Sequence, residues 1–351
     1  MIGWYVHHQG RGHLHRAVTV ATELTRRTGV VVTGLSSLAR PAGWTGPWVQ
    51  LPQDDGGGPP RDATAGGSLH WVPAGDTHVR ERAAALSAWV GRSAPDLVVV
   101  DVSVEVAALV RLHGVPVVSV VLPGDRTDDA HLLGLRLSTE VVACWPPAAS
   151  STGPGMLPGL PADVAARVRA VGAVSRIRVE SSTASESGPL RLRRPGRPRV
   201  AVLQGRGGGA LTARSGAALA ALAPGWDWTE VGGGRWVEDP TAALRDADVV
   251  VTNAGQNSLA EVAACRVPAV VVPAERPHDE QATTARVLDA STWPALVVSS
   301  LPDDDWSDLL ERARLLDGQA WATWCDGHGA TRFVDVVTSV LERGRPHRRT
   351  A

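Results

Sequence analysis

Five short stretches hold side chains able to do chemistry. His13 closes the run His7-His8-Gln9-Gly10-Arg11-Gly12-His13. An imidazole titrates near neutrality, so it can take a proton from a hydroxyl. At a helix N-terminus the dipole disfavours its charged form and leaves it able to accept. Gly10 and Gly12 allow close backbone approach to a ligand. The competing reading of His13 is a capping or core residue. His7, His8 and His15 raise the question of a metal, but no carboxylate cluster adjoins them in sequence, and a metal is not expected. Asp101 ends the apolar run Leu97–Val100. It can orient and stabilise a His13 imidazolium, or cap the helix that follows.

Three further stretches suit an anionic, hydroxyl-rich ligand. In Gln204-Gly205-Arg206-Gly207-Gly208-Gly209-Ala210, glycine-rich backbone opens a helix, which makes an anion site. Arg206 can add a bidentate phosphate contact. No Gly-Lys-Ser/Thr follows, so this is not a P-loop. In Asn253-Ala254-Gly255-Gln256-Asn257-Ser258-Leu259-Ala260-Glu261 a turn hands over to a helix. The amides near Asn257 and Ser258 suit phosphate oxygens. Glu261 can accept both hydroxyls of a ribose, or it partners Ser258 in a capping box. In Pro273–Gln281, Glu280 and Gln281 stand in a polar turn that suits sugar hydroxyls or is simply a charged surface loop.

These stretches must be positioned, and the pattern says how. Apolar runs rich in Val alternate with helix-length stretches, first over residues 2–144 and again from residue 199. Unalternating Val runs suit strands buried on both faces, and their alternation with helices gives parallel α/β sheets. Each of the five stretches follows such a run. Ligands of these sheets bind at the carboxyl ends of the strands. The expected organisation is an N-terminal domain over residues 1–180, a Ser-, Arg- and Pro-rich linker over 181–198, and a C-terminal domain over 199–351, whose last helix is free to pack back on the first domain. Residues 51–75 break the pattern with a long Gly- and Pro-rich loop, either a lid or an insertion. Trp44, Trp48 and Trp71 stand near it, as core filling or as stacking platforms for a sugar or apolar acceptor. Asp303-Asp304-Asp305 reads as a helix start.

Composition bounds the function classes. The chain has 351 residues and a net charge of −1, so nothing in its global charge draws it to nucleic acid or acidic membranes. All 35 basic residues are Arg, and 13 Trp stand beside one Phe and one Tyr, the mark of a coding bias. The 3 cysteines are far apart, so neither a disulfide framework nor a zinc knuckle is expected, and a reducing cytoplasm is. No run is apolar enough to cross a membrane; peripheral contact stays open.

The second half resembles the C-terminal nucleotide-sugar domain of GT-B glycosyltransferases, family 28 and the wider UDP-glycosyltransferase superfamily, over about residues 200–290. Asn253-Ala254-Gly255-Gln256-Asn257-Ser258-Leu259-Ala260-Glu261 stands where plant and animal enzymes carry His-Cys-Gly-Trp-Asn-Ser-x-x-Glu. The resemblance implies phosphate contacts at Asn257 and Ser258, ribose contacts at Glu261, and donor-sugar contacts at Glu280 and Gln281, where the family has Asp-Gln. It implies a diphosphate loop at Gly205–Ala210, with Gly207, Gly208 and Gly209, and a base-binding loop at Trp236-Val237-Glu238-Asp239, with Val237 as the backbone contact. More weakly, Gly10-x-Gly12-His13 resembles the Gly-His turn of the family's catalytic base, and Asp101 its supporting acid. Asn253 and Glu280 depart from the family pattern. The implied fold is GT-B, two Rossmann-like domains facing a cleft. The implied activity is inverting transfer of a hexose-type sugar from a nucleotide-diphosphate sugar such as a UDP-sugar, without metal or other cofactor. The same fold and turn also serve nucleotide-sugar hydrolases and 2-epimerases, and a non-catalytic binding protein is a third reading.

Overall fold

The computed structural model describes residues 1–9, 11–55, 58–180, 196–205, 211, 216–232, 239–300 and 306–344. The linker residues 181–195 and the acidic run at 303–305 lie outside them. Two parallel sheets organise the chain. The first has seven strands: β1 (Ile2–Val6), β2 (Val32–Ser36), β3 (Trp48–Gln50), β4 (Leu97–Asp101), β5 (Val117–Val121), β6 (Glu140–Ala143) and β7 (Val168–Ala170), in the order β3-β2-β1-β4-β5-β6-β7. The second has five: β8 (Arg199–Gln204), β9 (Asp227–Gly232), β10 (Val249–Thr252), β11 (Ala269–Val271) and β12 (Ala295–Val297), in the order β12-β11-β10-β8-β9. The sequence reading missed β3 and β7. Each is three residues long and only partly buried, so no apolar run marks it.

Strand order reverses between β1 and β4 in the first sheet and between β8 and β10 in the second. At a reversal the connecting helices diverge to opposite faces and open a crevice at the strand ends. Into these crevices run the turns after β1, β4 and β10, and Gly205 at the end of β8. The strands are continuous Val runs because helices cover both faces: every residue of Leu97-Val-Val-Val-Asp101 is buried.

The helices that bear on the site are α1 (Arg11–Thr28), α2 (Thr77–Ser93), α3 (Val104–Leu112) and α4 (Asp129–Leu137). Two short ones, α5 (Pro147–Ser151) and α6 (Ala162–Ala165), complete the first half; the second holds α7 (Gly216–Ala221), α8 (Thr241–Asp246), α9 (Gln256–Cys265), α10 (Glu280–Asp289), α11 (Ser307–Arg314) and α12 (Gly329–Gly344). Basic Arg26 and Arg27 in the last turn of α1 complement its dipole. Asp76 caps α2 by accepting from the amides of His78 and Val79.

Helix α12 crosses back to the first domain. Its Phe333, Val334, Val337 and Val340 join the core of Ile2, Trp4 and Val6, with the Trp4 and Phe333 rings 5.4 Å apart. A second apolar cluster runs from Val121, Val141 and Trp145 to Ala201, Val250 and Val271 and ties the two sheets together. The long loop is fastened at its start by buried Arg82 of α2, which donates to the Tyr5 hydroxyl at 2.5 Å and the Pro52 carbonyl at 2.6 Å. Trp44 is buried in the first core and donates to the Pro47 carbonyl at 3.0 Å; Trp48 packs edge-on against it. Trp44 is a core residue, and Trp48 is partly buried against the same core. Trp71 is exposed in the loop, its indole donating to the Asp54 carbonyl at 2.6 Å.

Candidate active site

Residue Val6 of β1 pairs in register with Asp101 of β4, so both strands end at the same height. The chain then turns into α1, whose helical period places His13 and Arg16 on one face above the end of β4. His13 Nδ1 lies 2.9 Å from Asp101 Oδ1. Arg16 Nη2 stands 3.0 Å from the same nitrogen; where Nδ1 donates to the ionised carboxylate, which only accepts, Nε2 is the basic nitrogen. Arg16 donates from Nε to Asp101 Oδ2 at 3.1 Å and from Nη2 to Oδ1 at 2.5 Å. Asp101 is fully buried and Arg16 nearly so. Burial alone would push the Asp101 carboxyl up. The Arg16 guanidinium and His13 outweigh it and hold the group well below the usual carboxylate range. Asp101 is therefore a fixed negative charge beneath His13.

Asp101 does not cap α3. Ser103 does, its hydroxyl accepting from the Val106 amide at 3.2 Å. Between them Val102 adopts φ of 57°, a strained conformation for a β-branched residue. Sequence reasoning missed Arg16; the signal was its spacing of one helical turn from His13.

Across the cleft, α9 begins at Gln256. Its N-cap is Gly255, which offers no side chain to the first-turn amides. That arrangement leaves donors for an anion. Glu261 is buried and pairs with Arg176 Nε at 2.7 Å, so the capping-box reading of Ser258 and Glu261 does not hold. Burial raises the Glu261 carboxyl, and Arg176 offsets only part of the rise. Arg176 lies in the segment after β7 and was also missed; nothing in a lone arginine of that stretch marked it. Asn253 is buried and donates to the Val272 carbonyl at 2.8 Å, bracing the turn after β10 against β11. Gln281 Oε1 accepts from the Ala274 amide at 2.8 Å, which fixes its amide at the cleft wall.

The two halves touch here. Arg16 Nη1 donates to Gln256 Oε1 at 3.3 Å, while Gln256 Nε2 is buried without a partner. A Cβ on Gly12 would overlap Asn257 Nδ2, so glycine at that position permits the approach. One cleft of about 440 Å³ is lined by Gly12, His13 and Arg16 on one side and by Gly255, Gln256, Asn257, Ser258, Glu261, Glu280 and Gln281 on the other. Gly10, Arg206, Gly207, Gly208, Gly209 and Val237 lie outside the described residues.

The expectation that no carboxylate stands near the histidines of the first turn is corrected. The fold carries Asp54 Oδ1 and Asp55 Oδ2 each to 3.5 Å from His8 Nε2. Forty-odd residues separate them in sequence, and only the return of the long loop joins them. Arg82 already sits 3.2 Å from Asp54 Oδ2 as a counter-charge. His7 is pushed down to about 3 by burial and by the neighbouring His13 and His8, so it stays neutral.

Residues 229–292 match the glycosyltransferase family 28 C-terminal domain. A comparison with curated proteins gave no match. Among solved structures, MurG of Acinetobacter baumannii superposes with a TM-score of 0.62 at 17% identity, covering 96% of this chain and 99% of its own. The calicheamicin glycosyltransferase CalG4 gives 0.61 at 19% identity, covering 98% and 99%. A Listeria monocytogenes protein assigned as a UDP-N-acetylglucosamine 2-epimerase gives 0.59 at 13% identity, covering 100% and 99%. These likenesses establish the fold along the whole length. The chain has the GT-B fold, and its residues 229–292 match the glycosyltransferase family 28 C-terminal domain.

Proposed function

We propose that the chain transfers a hexose-type sugar from a nucleotide-diphosphate sugar, UDP-linked, to an acceptor hydroxyl. The observation that carries this reading is the cleft itself: a His13–Asp101 pair on one wall faces the α9 N-terminus and Glu261 on the other. His13 Nε2 takes the acceptor proton, and Asp101 stabilises the imidazolium that forms. The acceptor oxygen attacks the anomeric carbon as the bond to the diphosphate oxygen breaks. The electron pair leaves with the diphosphate, whose charge falls on the amides of Asn257 and Ser258. A single displacement inverts the anomeric centre. Amides and guanidinium groups neutralise the leaving group, so the step uses no metal. Glu261 accepts the ribose hydroxyls; Glu280 and Gln281 accept and donate to the sugar. Among the described residues no helix is long and apolar enough to cross a membrane, and a cytoplasmic enzyme acting on a small-molecule donor fits the reading.

The test is thermal shift with UDP, GDP, dTDP and their sugars in chelator. Selective stabilisation by one nucleotide sugar, lost in Glu261→Ala, supports the donor site. Turnover that needs an acceptor supports transfer; free sugar or a 2-epimer released without one moves the reading to a hydrolase or epimerase of the same fold. Binding without any turnover leaves a nucleotide-sugar-binding protein.

A further inference from the structure

Three further imidazoles from three separate segments converge. His70 comes from the long loop, His131 from α4 and His278 from the turn before α10 in the other domain. One nitrogen of each lies within 4.8 Å of the others. All three face the same carboxylate: Asp128 is 3.4 Å from His70 Nε2, 2.5 Å from His131 Nδ1 and 3.8 Å from His278 Nδ1. We propose that His70, His131, His278 and Asp128 form a site for a divalent transition ion, zinc foremost, that clasps the two domains.

The chemistry of the donor set favours such an ion. Three imidazoles and one carboxylate make a four-coordinate set suited to zinc, nickel, copper or cobalt and unsuited to magnesium or calcium. A tetrahedral ion with ligands at about 2.0–2.1 Å spaces them by about 3.3 Å, within reach of small ring rotations. Two of the rings have that freedom, since the His70 and His278 side chains are 35% and 36% exposed. The carboxylate is held in place, because Asp128 caps α4 through the His131 amide at 3.0 Å.

The backbone also aims the third ligand. His278 and Asp279 both adopt left-handed φ, 59° and 55°, a strained pair outside glycine. The His278 carbonyl accepts from the Asp125 amide at 2.8 Å, and Gly124 offers no Cβ to block that contact. The backbones of the two domains are thus in direct contact beside the site. One group opposes the ion: Arg126 Nη1 donates to His131 Nε2 at 3.1 Å. Coordination through Nδ1 leaves Nε2 protonated, so Arg126 must give up this contact while keeping its bonds to the Leu122 and Pro123 carbonyls.

The experiment uses the full chain, stripped with chelator and titrated with Zn²⁺ by calorimetry and with Co²⁺ by visible absorption. The expected result is one equivalent bound, with tetrahedral cobalt bands and a raised melting temperature. His278→Ala and His70→Ala should each weaken binding at least about tenfold, and Asp128→Asn, which keeps a capping side chain, about 10–100-fold. Arg126→Gln should tighten it. Absence of binding up to millimolar Zn²⁺, or binding left intact in both histidine variants, overturns the proposal. So does binding lost in His8→Ala, which would put the ion at His8, Asp54 and Asp55. None of these readouts depends on transferase activity.

Discussion

Replacing Asp101 by Asn separates what the buried carboxylate does for the fold from what it does for chemistry. In the native chain its two oxygens take Arg16 Nε at 3.1 Å and Nη2 at 2.5 Å, and His13 Nδ1 at 2.9 Å. An Asn keeps one acceptor oxygen and turns an NH₂ donor toward the other donors. Arg16 cannot shed its proton, so a cation is left buried opposite a neutral amide. Unit charges about 4 Å apart at an effective dielectric of about 20 attract by about 4 kcal/mol. Measured losses on breaking buried pairs, about 3–5 kcal/mol, agree. Urea unfolding followed by Trp fluorescence should show that loss. The rate should fall by about 10²–10⁴, as expected when the general base loses its partner and tautomer. The double variant Asp101→Asn/Arg16→Met removes the stranded cation. It should regain most of the stability, because apolar replacement of a buried pair is often neutral, yet stay as slow as the single variant. Full activity in Asp101→Asn, or activity returning together with stability in the double variant, would refute the pairing of His13 and Asp101 as the catalytic unit.

Other outcomes follow from the same geometry. Gly12→Ala should keep its stability within about 1 kcal/mol, since the overlapping atom is the movable end of Asn257, but should raise the donor KM about tenfold by displacing that side chain; initial rates against donor concentration check this. Glu261→Gln removes a charged acceptor worth about 1.5–3 kcal/mol, so nucleotide affinity should fall about 10–100-fold by calorimetry. Stability should rise with pH between about 3 and 6.5. His7 and His131, held down to about 3 and about 4, stay unprotonated in the folded state while the unfolded chain binds protons. Asp101 acts lower: its folded value is depressed, so its contribution stands above the ordinary carboxylate range and is lost as pH falls below it. Denaturant midpoints across pH, flattened in His7→Phe, measure the histidine part.

Much of the organisation was local and therefore legible in the chain. Val-rich runs state that both faces of a strand are covered. Glycine at residues 12 and 255 marks turns where backbone must come close. The order strand, turn, helix fixes which end of each sheet faces a ligand. His13, Asp101, Asn257 and Glu261 follow from those turns. Tertiary structure decided the partnerships, because they join residues far apart in sequence and no local pattern encodes a distance. Arg16 meets Asp101 across 85 residues and Gln256 across 240. Arg176 reaches Glu261 across 85. The cap falls on Ser103 rather than Asp101 because β4 runs on through Asp101 and α3 begins only at Val104, so Ser103 is the residue next to the first helical turn. His278 joins His70 and His131 only because two domains close on one another. The sequence by itself specified most of the elements and the strand ends at which ligands of such sheets bind; tertiary packing, with the two sheets closed by shared apolar burial, decided which charges face each other.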